Sequence, residues 1–169
     1  MFVLAELEYI IRVEPRRFGK DMKREVRDEL NRKFANKVLH SVGLCIALYD
    51  ITRVGDSYIL PGDGASHTKV RFRVVVFRPF VDEILVGKIR SCSSEGVRVS
   101  LGFFDDVFIP HQSLQHPKRF DQEEQLWVWQ YESEGEPHDM FMDLEEEVRF
   151  RVVQETFVDT IPKDGQTSS

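Results

Sequence analysis

The chain has 169 residues, 41% of them hydrophobic and 31% charged, with a formal net charge of −6. That length admits one domain or two small ones, each with a buried core. No run approaches ~18 consecutive apolar residues, so no membrane-spanning helix is expected. The opening Met1–Glu8 lacks a basic lead, so no secretory targeting is expected either. Cys45 and Cys92 lie far apart, form no C-x-x-C pair and suit a reducing cytosol or nucleus.

The net charge hides an asymmetry. Residues 1–80 hold 15 basic and 10 acidic side chains, a balance of +5, whereas residues 81–169 hold 8 and 19, a balance of −11. Eleven of those acids fall between Asp121 and Glu147. A half this acidic cannot hold nucleic acid by bulk attraction, so any such contact must come from a local basic face.

In chain order, Phe2–Val13 is rich in β-formers and reads as a strand closed by Pro15. Phe18, Met22, Val26, Leu30 and Phe34 then recur at i, i+4 and make one apolar stripe on a helix. Its other faces carry mixed charge, which reads as a solvated surface or as a basic face for a partner. Gly43–Tyr49 has strand length, with Cys45 as a small core residue. Gly55-Asp56 signals a turn and Tyr58–Leu60 a further strand. From Lys69 to Phe77, Val70, Phe72, Val74 and Val76 point one way while Lys69, Arg71 and Arg73 point the other. The order β-α-β-β-β predicts a small antiparallel sheet with one covering helix.

Between the last two strands lies Pro61-Gly62-Asp63-Gly64, followed by Ala65 and Ser66. The spacing fits neither a phosphate-binding P-loop nor the dinucleotide fingerprint. Two readings stay open: a glycine-rich hairpin connection, or a protruding tip whose small residues enter a pocket on another protein.

Arg78-Pro79 ends the first module, because proline cannot donate to a sheet ladder. Five strand-like segments follow at Ile84–Ser91, Gly96–Leu101, Val107–Pro110, Gln125–Tyr131 and Glu147–Val153. This spacing predicts an all-β barrel of the OB type. The fold class expected is therefore an α+β N-terminal domain followed by an OB-fold barrel. The expected boundaries are 1–80, 81–160 and a disordered tail at 161–169. Lys88, Arg90, Arg98, Arg149 and Arg151 alternate with apolar residues on three of these strands. They form one basic outer face, a candidate for single-stranded RNA, or remain ordinary solvent-facing residues. Trp127, Trp129 and Tyr131 share a strand face, as barrel core or as stacking platforms for bases. The five histidines make no zinc pattern, and Asp63, Ser66 and His67, neighbours on a loop, give no reason to assume a nucleophile held by a base. No catalytic residue, metal or cofactor is expected.

Several segments together carry a resemblance: ANKVL at 35–39, GLCIALYDI at 43–51, PGDGASHTKV at 61–70, VVFRPFVDEILVGKI at 75–89, EGVRVSLGFFDDVFIP at 95–110, LWVWQYE at 126–132 and FRVV at 150–153. On these the chain resembles the RNA polymerase III stalk subunit. That subunit is the counterpart of polymerase II's seventh subunit and of its equivalent in the archaeal RNA polymerase. The resemblance implies a truncated RNP-like domain whose tip enters the polymerase core, and an OB barrel near the RNA exit. It also implies a heterodimer with a smaller helical stalk subunit, a nuclear location, and a non-catalytic role in initiation at transfer RNA and 5S RNA genes. By position, Pro61 to Gly64 match the tip loop, and Lys88, Arg90 and Arg98 match the barrel surface associated with RNA. Many RNA-binding barrels carry an aromatic in strand two and a histidine in strand three. Arg98 and Pro110 stand there in this chain, so RNA contact is expected to be electrostatic and salt-sensitive. The alternative is a free-standing OB-fold RNA-binding protein.

Overall fold

Val70, Phe72, Val74 and Val76 recur at period two and make the best strand pattern in the chain, which lies at the centre of a sheet. In the computed structural model, which describes residues 1–158, β1 (Phe2–Val13), β2 (Lys37–Leu39), β3 (Gly43–Ile59) and β4 (Ser66–Phe77) run in the order β1-β4-β3-β2. All three pairings are antiparallel. Val70, Phe72, Val74 and Val76 are buried on one face, where Val26, Leu30 and Phe34 of α1 (Met22–Phe34) join them. The Phe34 ring lies 5.2 Å from Phe72 and 5.4 Å from Tyr9. Burying each of the three helix residues contributes ~1.5–3 kcal/mol.

The helix is shorter than the apolar series predicts. Pro15–Arg17 forms a 3-10 turn and Gly19 has φ +89°. Asp21 then caps the helix, its side chain accepting a hydrogen bond from the Lys23 N–H at 3.1 Å. Phe18 and Met22 are left exposed. The expected turn at Gly55-Asp56 is also absent: β3 runs through it. The register slips four times along β3, the last time between Val54 and Ser57, so the two residues sit in a bulge. Gly55 permits this because a Cβ there would lie 3.0 Å from the Lys69 carbonyl oxygen.

The other face of the sheet is charged. Lys69 pairs with Glu8 at 2.8 Å, Arg71 with Glu6 and Glu8, and Arg73 with Asp50. These contacts hold the Glu8 and Asp50 carboxyls below the usual range, through hydrogen bonds from Lys69 and Arg73 respectively. Part of the first module's positive charge is therefore neutralised within its own sheet.

The chain divides into two compact units, Met1–Val81 with the described residues from Val153 onward, and Asp82–Val152. Residues 153–158, expected with the second module, belong with the first. Glu155 pairs with Arg78 at 3.5 Å, and the Phe157 carbonyl lies 3.2 Å from His40 Nδ1. The expected tail at 161–169 lies outside the described residues.

The second unit contains β5 (Ile84–Ser93), β6 (Gly96–Ser100), β7 (Val107–Pro110), β8 (Lys118–Asp121), β9 (Leu126–Ser133), β10 (Glu136–Phe141) and β11 (Glu147–Arg151). One sheet has the order β11-β5-β6-β7, the other β10-β9-β8. Ile89, Val97, Val99, Leu114 and Trp127 form the core, and Trp127 Nε1 donates to the Ser93 carbonyl at 2.7 Å. A bulge at Arg90 bends β5. The result is a curled β half-barrel consistent with the OB fold. The five expected strands are present, with β8 and β10 in addition.

Candidate functional site

The loop between β3 and β4 is a tight turn held at its base. The Asp63 and Gly64 N–H groups donate to the Leu60 carbonyl at 3.2 and 3.4 Å. Gly62 has φ +89° and Gly64 φ +73°, a left-handed region that favours glycine. A Cβ at Gly62 would meet nothing within 4 Å. Pro61, Gly62, Asp63 and Gly64 are exposed, whereas Ala65 and Ser66 are buried. Those two cannot be offered to a partner, because β4 begins at Ser66 and turns inward against Val13.

Asp63 is clamped. The Arg12 guanidinium donates to both its carboxylate oxygens, at 2.6 and 3.2 Å, and the His67 Nε2 donates to Oδ2 at 2.9 Å. Arg12 and His67 are cross-strand partners on β1 and β4, and Tyr58 stands opposite His67 on β3 with the rings stacked at 5.6 Å. Hydrogen bonds from Arg12 first, and from His67 second, hold the Asp63 carboxyl at about 2. Ile59 and Leu60, just before the loop, leave 59% and 45% of their surfaces exposed. Sequence reasoning placed Asp63 in the docking loop and noted His67 beside it without giving it a role, but did not include Arg12; the two reach Asp63 from 4 and 51 residues away. The Arg12–His67 register was the signal, and it appears only once β1 and β4 pair.

In the second unit, register places the five candidate cations on one face. Glu147 stands opposite Lys88, Arg149 opposite Val86 and Arg151 opposite Ile84. Lys88 stands opposite Ser100, and Arg98 opposite Phe108. All five cations are exposed. Their electrostatics differ: Arg90 pairs with Asp105, Arg98 lies 3.7 Å from Asp106, and Lys88, Arg149 and Arg151 make no ion pair among the described residues. A cleft of ≈ 610 Å³ opens on this face, lined by Val86, Lys88, Arg90 and Ser100 but also by Asp105 and Glu147. The face is therefore one of mixed charge, with three cations that make no ion pair among the described residues. Phe108, 46% exposed beside Arg98, supplies an aromatic surface that the sequence reading did not include.

The aromatic series on β9 divides. Trp127 is core, whereas Trp129 and Tyr131 are half-buried and stack on each other at 4.9 Å. Burial pushes the Cys45 thiol up to about 11, as suits a core residue. Among the described residues no group of three or more His, Cys, Asp or Glu side chains is placed to hold a metal.

Comparison with known proteins bears on both units. A family model described as RNA polymerase III subunit Rpc25 matches residues 83–169. A second, described as the SHS2 domain found in the N terminus of Rpb7p/Rpc25p/MJ0397, matches residues 8–64. The DNA-directed RNA polymerase III subunit RPC8 of Bos taurus is 60% identical over 162 residues, covering 96% of this chain and 79% of that protein. The corresponding subunit of Schizosaccharomyces pombe is 42% identical over 171 residues, covering 100% and 84%. The DNA-directed RNA polymerase II subunit RPB7 of Saccharomyces cerevisiae is 34% identical over 104 residues, covering 60% and 61%.

Proposed function

The chain belongs to the RNA polymerase III subunit Rpc25 family, and from that membership we propose that it is a non-catalytic subunit of nuclear DNA-directed RNA polymerase III. In this reading it forms the stalk with a smaller helical subunit and acts in initiation at transfer RNA and 5S RNA genes. The observation that carries it is continuity: similarity to a polymerase III subunit spans 96% of the chain at 60% identity, through both units.

Each unit then has a task. The first presents Pro61–Gly64 to the polymerase core, supported by the exposure of those four residues and the open space around Gly62. The second offers Lys88, Arg149 and Arg151 to the phosphates of nascent RNA, with Arg90 and Arg98 partly neutralised by acids. Phosphate contacts of this kind hold a strand without reading its sequence.

Affinity capture of the tagged chain followed by mass spectrometry tests the assignment. Polymerase III core subunits and a small helical partner should be recovered together. Recovery of RNA without polymerase subunits would favour the free-standing RNA-binding alternative instead.

A further inference from the structure

Exposed glycine-rich loops usually sample many conformations, and a loop that must enter a pocket loses that freedom on binding. This loop is different, because the carboxylate at its centre is held from two strands. Arg12 on β1 grips both oxygens of Asp63, and His67 on β4 donates to one of them. His67 is itself stacked on Tyr58 of β3. Three adjacent strands thus converge on one side chain of the turn. Next to the clamp, Ile59 and Leu60 stay exposed, and the loop itself keeps small side chains. This is the surface expected of a pre-shaped wedge with an apolar shoulder.

We propose that Arg12 and His67 are positioning residues for docking: by clamping Asp63 they fix the turn at Pro61–Gly64, so that the Ile59–Leu60 shoulder enters an apolar pocket of the polymerase core already in its bound shape. The inference rests on the docking role proposed for the loop. The clamp residues need not touch the partner; their effect runs through the turn. Releasing one loop residue's backbone costs ~1–2 kcal/mol on binding, which corresponds to roughly a five- to thirtyfold loss of affinity.

The test uses polymerase III prepared without this subunit and its stalk partner, titrated with the full chain in complex with that partner. Arg12→Ala should weaken association by about tenfold while lowering the thermal midpoint no more than Asp63→Ala does, since both remove the same exposed ion pair. Arg12→Lys, which keeps the charge but not the two-pronged grip, should fall between the two. The Arg12→Ala/Asp63→Ala double variant should lose no more than Asp63→Ala alone, since Arg12 acts only through that carboxylate. Leu60→Ser and Gly62→Trp probe the docking contact itself. If these two weaken binding and Arg12→Ala does not, the positioning role is wrong and the docking reading stands. If Arg12→Ala lowers the midpoint more than Asp63→Ala does and the double variant is fully additive in affinity, Arg12 is merely structural and the proposal fails. If none of the variants changes association, the docking reading falls, and the clamp's role with it.

Discussion

The cationic face makes a quantitative prediction for RNA. Binding a flexible single strand releases counterions, and the slope of log K against log salt is ≈ −0.7 per phosphate neutralised. Two of the five candidate cations are occupied by Asp105 and Asp106, leaving Lys88, Arg149 and Arg151. Three contacts give a slope of about −2, or roughly a twentyfold loss of affinity between 50 and 200 mM salt. Five would give about −3.5. Fluorescence anisotropy with a short unstructured RNA and the full chain reads the slope directly. Replacing Lys88, Arg149 and Arg151 together with alanine should flatten it. Asp105→Asn releases Arg90 and should steepen it to about −3. A native slope near zero, or an undiminished slope in the triple variant, would refute the assignment of these cations to RNA.

Phe72→Ala empties a fully buried site against Phe34 and should destabilise the first unit by ~3–5 kcal/mol in denaturant titration. Glycines at 62 and 96 should differ in how much they tolerate a side chain. A Cβ at Gly96 would lie 2.1 Å from the Ile109 carbonyl oxygen, so Gly96→Ala should disrupt folding of the second unit, whereas Gly62→Ala meets open space and bears only the ~1–2 kcal/mol of its left-handed conformation. Thermal unfolding separates these outcomes. Asp63 has a depressed pKa, so its contribution is complete above the unfolded value of ~4 and is lost as pH falls towards about 2. The Asp63 carboxyl carbon shift, followed by NMR, should titrate there. Cys45, buried and raised to about 11, should resist iodoacetamide at pH 8 until the protein is unfolded.

Much of this architecture is legible in the residues, and the exceptions have physical causes. Val70 to Val76 alternates because one face of β4 meets α1 and the other meets water, so period two is written into it. The same holds for Val97 and Val99 on β6. By contrast β10, Glu136–Phe141, contains a proline and mainly polar residues, and it is a strand because β9 pairs with it from one side. β8 is four residues long with one apolar side chain, Phe120, which meets Trp127. Neither has a local signal to find. Gly55-Asp56 resembles a turn because a bulge and a turn ask for the same residue types. Phe18 and Met22 continue the helical period but precede the helix core, since Gly19 and the Asp21 cap set its start. At the candidate sites, the exposed residues could be read one by one, but their neighbours could not. Asp105 and Asp106 reach the cations from a loop, and Arg12 reaches Asp63 across the sheet. Such pairings arise from register and long-range closure, which composition and periodicity do not encode.

The most direct test of the account places a photocrosslinking residue at Pro61 in one version of the chain and at Arg149 in another, within assembled, transcribing polymerase III. The account predicts that position 61 crosslinks to a core polymerase subunit and position 149 to nascent RNA. Crosslinks from position 61 confined to its own chain, with none from position 149 to RNA, would contradict it.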